Sequence, residues 1–83
     1  MILTALENLP VTSKQSVLLP LGSSVIAVEL QRGKLTLFAT VSDPNATPVS
    51  KTVYMVGAGD TVPIAQYVGN DQDGSRGWFV FVE

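Results

Sequence analysis

VIAVELQRGKLTLFATV, residues Val25–Val41, is the stretch that decides the fold. Two apolar runs flank the dipeptide Arg32-Gly33, and a two-residue loop with glycine second suits a tight β-hairpin turn that needs positive φ. In the register that this turn sets, apolar side chains pair on one face: Leu30 with Leu35, Val28 with Leu37, and Ile26 with Ala39. An apolar face of this kind predicts an antiparallel hairpin whose inner side contacts a core.

The second face of the hairpin is polar near the turn and becomes more apolar towards the base. Near the turn it pairs Glu29 with Thr36, and towards the base it pairs Ala27 with Phe38, followed by Val25 with Thr40. Strands that are apolar on both faces are typically covered on both sides. The base of the hairpin therefore needs a second layer or a second subunit.

The C-terminal strand, residues 77–83, has the same property. One face carries Trp78, Val80 and Val82, and the other carries Phe79 and Phe81. The chain has no segment that predicts a helix long enough to cover these faces. Either the sheet folds over itself as a sandwich or barrel, or a second subunit covers it.

Turn residues divide the rest of the chain about every eight to twelve positions, the spacing of an all-β sandwich or barrel. Further strands are predicted at residues 16–19, 51–56 and 67–69, with a loop at 42–48 and a turn at 70–75. Residues 3–9 fit an edge strand or a helical turn, and we favour the strand. The sequence predicts a single all-β domain over residues 1–83, a small antiparallel sandwich or partly open barrel of about five to seven short strands with a hairpin at 25–41.

The composition suggests self-association. A chain of 83 residues buries only about 60% of its unfolded surface, so it usually needs a disulfide, a metal or a partner. It has no cysteine or histidine, and only 14% of its residues are charged, against about 25% in typical domains. We therefore expect a homo-oligomer that buries the surplus apolar surface, with a very tight monomer as the alternative.

Charge and hydropathy limit the classes of partner that the protein is expected to bind. The net charge is −2 and no basic run exists, which argues against binding to duplex nucleic acid but leaves room for a local arginine site. No apolar stretch approaches the roughly 18 residues of a membrane span, so no membrane partner is expected. The first residues lack the basic start of a signal peptide, which predicts a cytoplasmic location, in the host cell if the protein is viral.

The glycine loop Gly57-Ala58-Gly59-Asp60 follows an apolar strand and is a candidate ligand site. Glycine loops that hold phosphates usually precede a helix, whose N–H groups and dipole attract the anion. Pro63 leaves little room for a helix here, which argues against a dinucleotide fold. Successive glycine N–H groups can still hold an anion without a helix. The alternative is that Gly57 and Gly59 only turn the chain.

Arg76 and Trp78 are the second candidate pair. Residues two apart on a strand project from the same face. An arginine offers a planar fork for phosphate and a tryptophan offers a plane for stacking, which together suit a nucleotide. The alternative is a core tryptophan with an arginine at its rim. The predicted ligand-binding residues are therefore Gly57, Gly59, Arg76 and Trp78.

Catalytic and metal sites are not indicated. Without histidine or cysteine, the chain has no usual nucleophile–base pair. Asp71-Gln72-Asp73-Gly74 resembles the start of a calcium loop, but the position of the twelfth-residue glutamate falls on Val82. We therefore predict no enzyme activity, no cofactor and no metal.

Six short motifs follow one another along the chain. They are Leu19-Pro20-x-Gly22, Val28-x-x-Gln31-x-Gly33, Ala39-x-Val41, Val56-Gly57-Ala58-Gly59, Tyr67-Val68-Gly69 and Val80-Phe81-Val82-Glu83. Over nearly the whole chain this string resembles a family of small phage and prophage proteins, an all-β domain of unknown function. The resemblance implies a viral origin, an all-β fold and no enzyme, and it brings no site residues with it.

Two functions are compatible with these observations. The first is a homo-oligomer that binds a small anionic ligand between subunits, by analogy with small phage proteins that sequester nucleotide signals of bacterial defence. The second is a structural or adaptor protein that binds another protein through an exposed edge or apolar face.

Overall fold

The computed structural model describes all 83 residues and consists of seven β-strands without a helix. The strands are β1 (Ile2–Pro10), β2 (Lys14–Pro20), β3 (Ser24–Gln31), β4 (Lys34–Val41), β5 (Pro48–Val56), β6 (Gln66–Asp73) and β7 (Arg76–Val82). The predicted all-β class is confirmed, as is the strand, rather than a helical turn, near the N-terminus. No element is a helix of the length and apolarity that a membrane crossing needs.

The strands form two antiparallel sheets. One sheet has the order β1-β4-β3 and the other has the order β2-β5-β7-β6. Their inner faces share one hydrophobic core, in which Leu35, Leu37, Val53 and Val80 have no exposed surface. The alternation of apolar and polar residues along each strand accounts for this two-layer arrangement, since alternate side chains point to opposite faces.

The β3–β4 hairpin forms as predicted near its turn. Arg32 and Gly33 have φ of 52° and 74°, the positive values of a tight hairpin turn. Leu30 pairs with Leu35 in the expected register. The Val28–Leu37 and Ala27–Phe38 pairs also form as predicted.

Towards its base the hairpin departs from the prediction. A β-bulge lies between Val25 and Ala27, so Val25 rather than Ile26 pairs with Ala39. The extra residue reverses the alternation from that point, which turns Ile26 outward at 53% exposure and buries Val25. The predicted pairs of Ile26 with Ala39 and Val25 with Thr40 were therefore wrong, and Thr40 pairs with Ser24.

A second correction concerns residues 70–75, which the sequence predicted as a turn. Strand β6 continues to Asp73, and only Gly74 and Ser75 connect it to β7. The polar run Asn70–Asp73 resembles turn sequence, but it forms an edge strand paired with β7. Edge strands tolerate polar side chains, and these also discourage unwanted pairing.

The two sheets meet along two pairs of edges, which differ. At the closed junction, β3 of the first sheet lies against β6 of the second, and the Leu30 N–H donates to the Asp71 carboxylate at 2.9 Å. A Cβ placed on Gly69 would lie 3.1 Å from Val28 Cγ2, so the two strands approach closely. The fold is thus a sandwich closed along one side.

At the other side, which we call the open seam, no ladder joins β1 to β2. A groove of about 200 Å³ lies between them. Its lining is Ile2, Thr4, Leu6, Leu18, Leu19, Pro20, Val41 and Pro44. The two antiparallel sheets, closed along one side and open along the other, fit the predicted small sandwich or partly open barrel.

Candidate functional site

The strand register brings the glycine loop to the start of β7. Val56, the last residue of β5, pairs with Phe79 of β7. Because the two strands are antiparallel, the loop that follows Val56 continues alongside Trp78 and Arg76. Three of the four predicted ligand residues, Gly57, Arg76 and Trp78, therefore lie together.

The Arg76 side chain stacks on Trp78. Its guanidinium carbon lies 4.1 Å from the centroid of the Trp78 ring, within the range of a cation–π contact. The two side chains share a face of β7, as their spacing predicted. Trp78 also packs against the hydrophobic core. Its ring therefore lies between the core and the Arg76 side chain.

Gly57 lies between two charged groups. A Cβ at Gly57 would be 3.5 Å from Arg76 Nη2 and 3.5 Å from Asp60 Oδ2. Both distances are ordinary van der Waals contacts, so Gly57 lies directly beside the guanidinium and the carboxylate.

The glycine loop is closed by its own carboxylate. The Gly57 N–H donates to Asp60 Oδ2 at 2.7 Å, and the Asp60 N–H donates to the Gly57 carbonyl at 3.1 Å. Gly59 has φ of +94°, which favours glycine, and no atom lies within 4 Å of its Cβ position. Gly59 thus shapes the turn, while the donor of Gly57 is already occupied.

Asp71 lies beside this cluster, since it pairs with Trp78 across the β6–β7 ladder. Its carboxylate accepts hydrogen bonds from the N–H groups of Leu30 at 2.9 Å and of Gln72 at 2.8 Å. These two hydrogen bonds, the Leu30 bond first, hold the pKa of Asp71 below its ordinary value of 3.8. The carboxylate is therefore charged at neutral pH and joins the two sheets.

A groove of about 460 Å³ runs along the outer end of the β6–β7 hairpin. Its lining is Asn70, Asp71, Gln72, Gly77, Trp78 and Phe79. Trp78 therefore borders both the guanidinium of Arg76 and a polar groove.

The model of DUF7352, a domain of unknown function, matches residues 7–83. The chain belongs to the DUF7352 family. The matched range includes the whole candidate site and leaves out only residues 1–6. No curated protein and no solved structure matches the chain.

In this DUF7352 chain, the structure brings together Gly57, Arg76 and Trp78 of the four residues that the sequence predicted as ligand-binding. The fourth, Gly59, has no atom within 4 Å of its Cβ position. The sequence did not predict a role for the carboxylates of Asp60 and Asp71, both of which accept backbone hydrogen bonds.

The Asp60 contact is local along the chain. Its carboxylate reaches back three residues to the Gly57 N–H. The Asp71 contact is not local, because its partner Leu30 is 41 residues away along the chain. The structure contains no group of three or more carboxylates close enough to hold a metal ion.

Proposed function

We propose that the chain is a non-enzymatic, homo-oligomeric protein that binds a small anionic ligand at Gly57, Gly59, Arg76 and Trp78. The observation that carries the proposal is the Arg76 guanidinium, stacked on the Trp78 ring at 4.1 Å beside a residue without a side chain. No histidine or cysteine is present to supply nucleophilic catalysis, which supports binding rather than turnover.

Stacking leaves the donors of Arg76 available. The ring contacts the flat face of the guanidinium, whereas the five N–H groups point outward in its plane. A phosphate or carboxylate could therefore accept a bidentate hydrogen bond from Arg76 without displacing it from Trp78. Arg76 is exposed, so that anion can approach the guanidinium from solvent.

The Gly57 N–H does not contribute, because the Asp60 carboxylate already accepts from it at 2.7 Å. Gly57 and Gly59 act in the proposal through space and turn geometry. Arg76 would hold the anionic group, and the adjoining groove bordered by Trp78 and Phe79 would take the rest of a small ligand such as a nucleotide.

The finer part of the proposal rests on the sequence resemblance. A phage or prophage origin, and sequestration of a nucleotide signal used in host defence, would account for a small protein that binds without catalysis. The ligand site and its arginine are the testable elements of that role.

The experiment is a melting-temperature screen of the purified protein against a panel of linear and cyclic nucleotides. A bound nucleotide at a hundredfold excess over its Kd stabilises the folded state by about 2.7 kcal/mol. Arg76→Gln should abolish the shift, whereas Arg32→Gln should keep it, because Arg32 lies at the tip of the β3–β4 hairpin. No shift across the panel, or an equal loss in both variants, would contradict the proposal.

The open seam favours a second candidate, a structural or adaptor protein. Leu18 and Ile2 line its groove and are 66% and 53% exposed. Apolar side chains at an unpaired edge are a common protein-binding surface. Recovery of one stoichiometric protein partner from infected cells, lost in Leu18→Lys, would support this candidate, and capture that is unchanged by the substitution would contradict it.

A further inference from the structure

We propose that the open seam is where two copies of the chain meet, with β1 of one copy pairing antiparallel to β1 of the other across a two-fold axis. The inference deepens the homo-oligomeric part of the proposed function by naming its interface. It also separates that interface from the ligand site, which the sequence alone had placed between subunits.

The seam offers the unpaired backbone that such a contact needs. Strand β1 pairs only with β4, and β2 pairs only with β5, so each has one free edge. Apolar side chains border these edges: Ile2 is 53% exposed, Leu3 62% and Leu18 66%. A free edge with apolar side chains is a template for another strand.

The usual protection of an edge strand is confined to one half of β1. Between Leu6 and Leu9 the register with β4 shifts, and Asn8 in that bulge has φ of 59°. Glu7 and Pro10 lie in the same half. A bulge, a charge and a proline are the devices that block strand addition, and residues 2–6 carry none of them. The unprotected half is therefore the one that can accept a strand.

The sequence of that half is complementary to itself. If Thr4 lies on the two-fold axis, Ile2 of one copy faces Leu6 of the other on the seam side, where both line the groove. On the opposite side Leu3 faces Ala5. Every pair is aliphatic or Thr–Thr, which are favourable cross-strand pairs in an antiparallel ladder. A two-fold contact requires this reciprocity.

Charge makes the seam the part of the surface that is best suited to a second copy. The chain carries a net charge of −2, so most of its surface repels a copy of itself. Residues 1–6 and 15–21, which include both borders of the groove, contain no charged side chain. In the same register Glu7 faces Met1 of the other copy, so no like charges meet.

The ligand site lies at the opposite end of the second sheet. Along the β2–β5 ladder Lys14 pairs with Tyr54, near the glycine loop, whereas Pro20 pairs with Pro48 at the far end. The seam groove is lined by Leu18, Leu19 and Pro20, at that far end. Dimerisation through β1 therefore leaves Arg76 and Trp78 accessible.

The test is sedimentation of the full chain with charges introduced on the axis. The wild type should sediment at twice its chain mass of 8.8 kDa. Thr4→Lys and Thr4→Asp each place like charges opposite one another and should raise the dimer Kd at least about tenfold. Mixed in equal amounts, the two variants should form a heterodimer, because opposite charges then meet on the axis.

Ile64→Lys is the matched control, because Ile64 is 96% exposed outside the seam, and it should leave the dimer intact. A wild type that stays monomeric, a Thr4→Lys variant that stays dimeric, or a mixture that fails to associate would overturn the proposal. A monomeric wild type that binds a foreign protein through the seam would also overturn it, in favour of an adaptor.

The nucleotide screen, repeated on Thr4→Lys, shows whether the dimer proposal or the ligand-site proposal has failed. A monomeric variant that keeps its melting shift supports an interface separate from the ligand site. A shift lost in Thr4→Lys but restored in the mixture would place the ligand between subunits and overturn that separation.

Discussion

The closed junction and the open seam are the two places where edges of the same two sheets face one another, and only the first is joined. At the closed junction Gly69 lets β6 approach Val28 of β3, and the Asp71 carboxylate takes the Leu30 N–H. At the open seam, Ile2 and Leu18 border a groove that no backbone ladder crosses. The absence of a side chain at Gly69 and one carboxylate hydrogen bond join the two sheets at the closed junction, whereas only aliphatic side chains border the open seam.

The contrast also separates two kinds of surface. The closed side carries the hydrogen-bonded carboxylates and the Arg76–Trp78 stack, in which the N–H donors of Arg76 stay free for a ligand. The open side carries exposed aliphatic groups with no partner of their own. In the proposals above, a polar ligand belongs to the closed side and a second copy to the open side.

The largest expected effect comes from filling the closed junction. Gly69 has φ of +153°, and a Cβ there would lie 3.1 Å from Val28 Cγ2. Gly69→Ala should lower the free energy of unfolding by about 2–4 kcal/mol, from backbone strain and crowding together. Urea unfolding of dilute protein measures this change in the free energy of unfolding.

The control for this change is Gly77→Ala in β7. The nearest atom to its Cβ position is Gln72 Cγ at 3.8 Å, an ordinary contact, so its unfolding free energy should change by less than about 1 kcal/mol. Equal effects of the two substitutions would show that close approach does not close the barrel.

Asp71→Asn should have the next largest effect. Loss of charge weakens two backbone hydrogen bonds, one of them across the junction, and should cost about 1–2 kcal/mol at pH 7. Because folding lowers the pKa of Asp71 from 3.8, its contribution is present above pH 3.8 and is lost as the pH falls through the lower folded value.

Unfolding measured from pH 7 down to pH 2 checks both parts of this prediction. The difference in unfolding free energy between the wild type and Asp71→Asn should shrink as acid protonates the wild-type carboxylate. Asp73→Asn, in the same strand, is the control and should show no such convergence. A constant difference at every pH would argue that packing, rather than charge, accounts for the loss.

A smaller effect is expected at the stacked pair. Arg76→Gln removes the cation–π contact with Trp78 and should lower the free energy of unfolding by about 0.5–1 kcal/mol. Thermal unfolding without ligand measures this change. A loss above about 2 kcal/mol would make Arg76 a structural residue first and would weaken its assignment to the ligand site.

The smallest effect on the monomer is expected at the seam. Leu18 is 66% exposed, so Leu18→Ala should change the unfolding free energy of dilute protein by no more than about 0.5 kcal/mol. Its neighbour Leu19 is 2% exposed, and Leu19→Ala serves as the destabilised control. A large loss for Leu18→Ala in the monomer would mean that the seam is already covered within one chain.

The local patterns of the sequence predicted much of this fold. The alternation of side chains and the Arg32-Gly33 turn predicted the β3–β4 hairpin. The apolar residues of β7 predicted that this strand contacts the core. The bulge at Ile26 could not be predicted, because one inserted residue leaves composition and turn signals unchanged while it reverses the faces.

The site was predictable where contacts are local along the chain. Arg76 and Trp78 stack because they are two residues apart on a strand, which sequence alone reveals. The Asp71–Leu30 bond joins residues 41 apart, and only the packing of the two sheets brings them together. Low charge content indicated surplus apolar surface but not its position on β1 and β2.

Hydrogen exchange of the β1 amides tests most directly whether the open seam is completed by a second copy. Alternate N–H groups of residues 2–6 point away from β4 and have no partner within the chain. We expect these amides to become protected as protein concentration rises through the dimer Kd, and to lose that protection in Thr4→Lys. Exchange at the rate of a free peptide at every concentration would contradict pairing through β1.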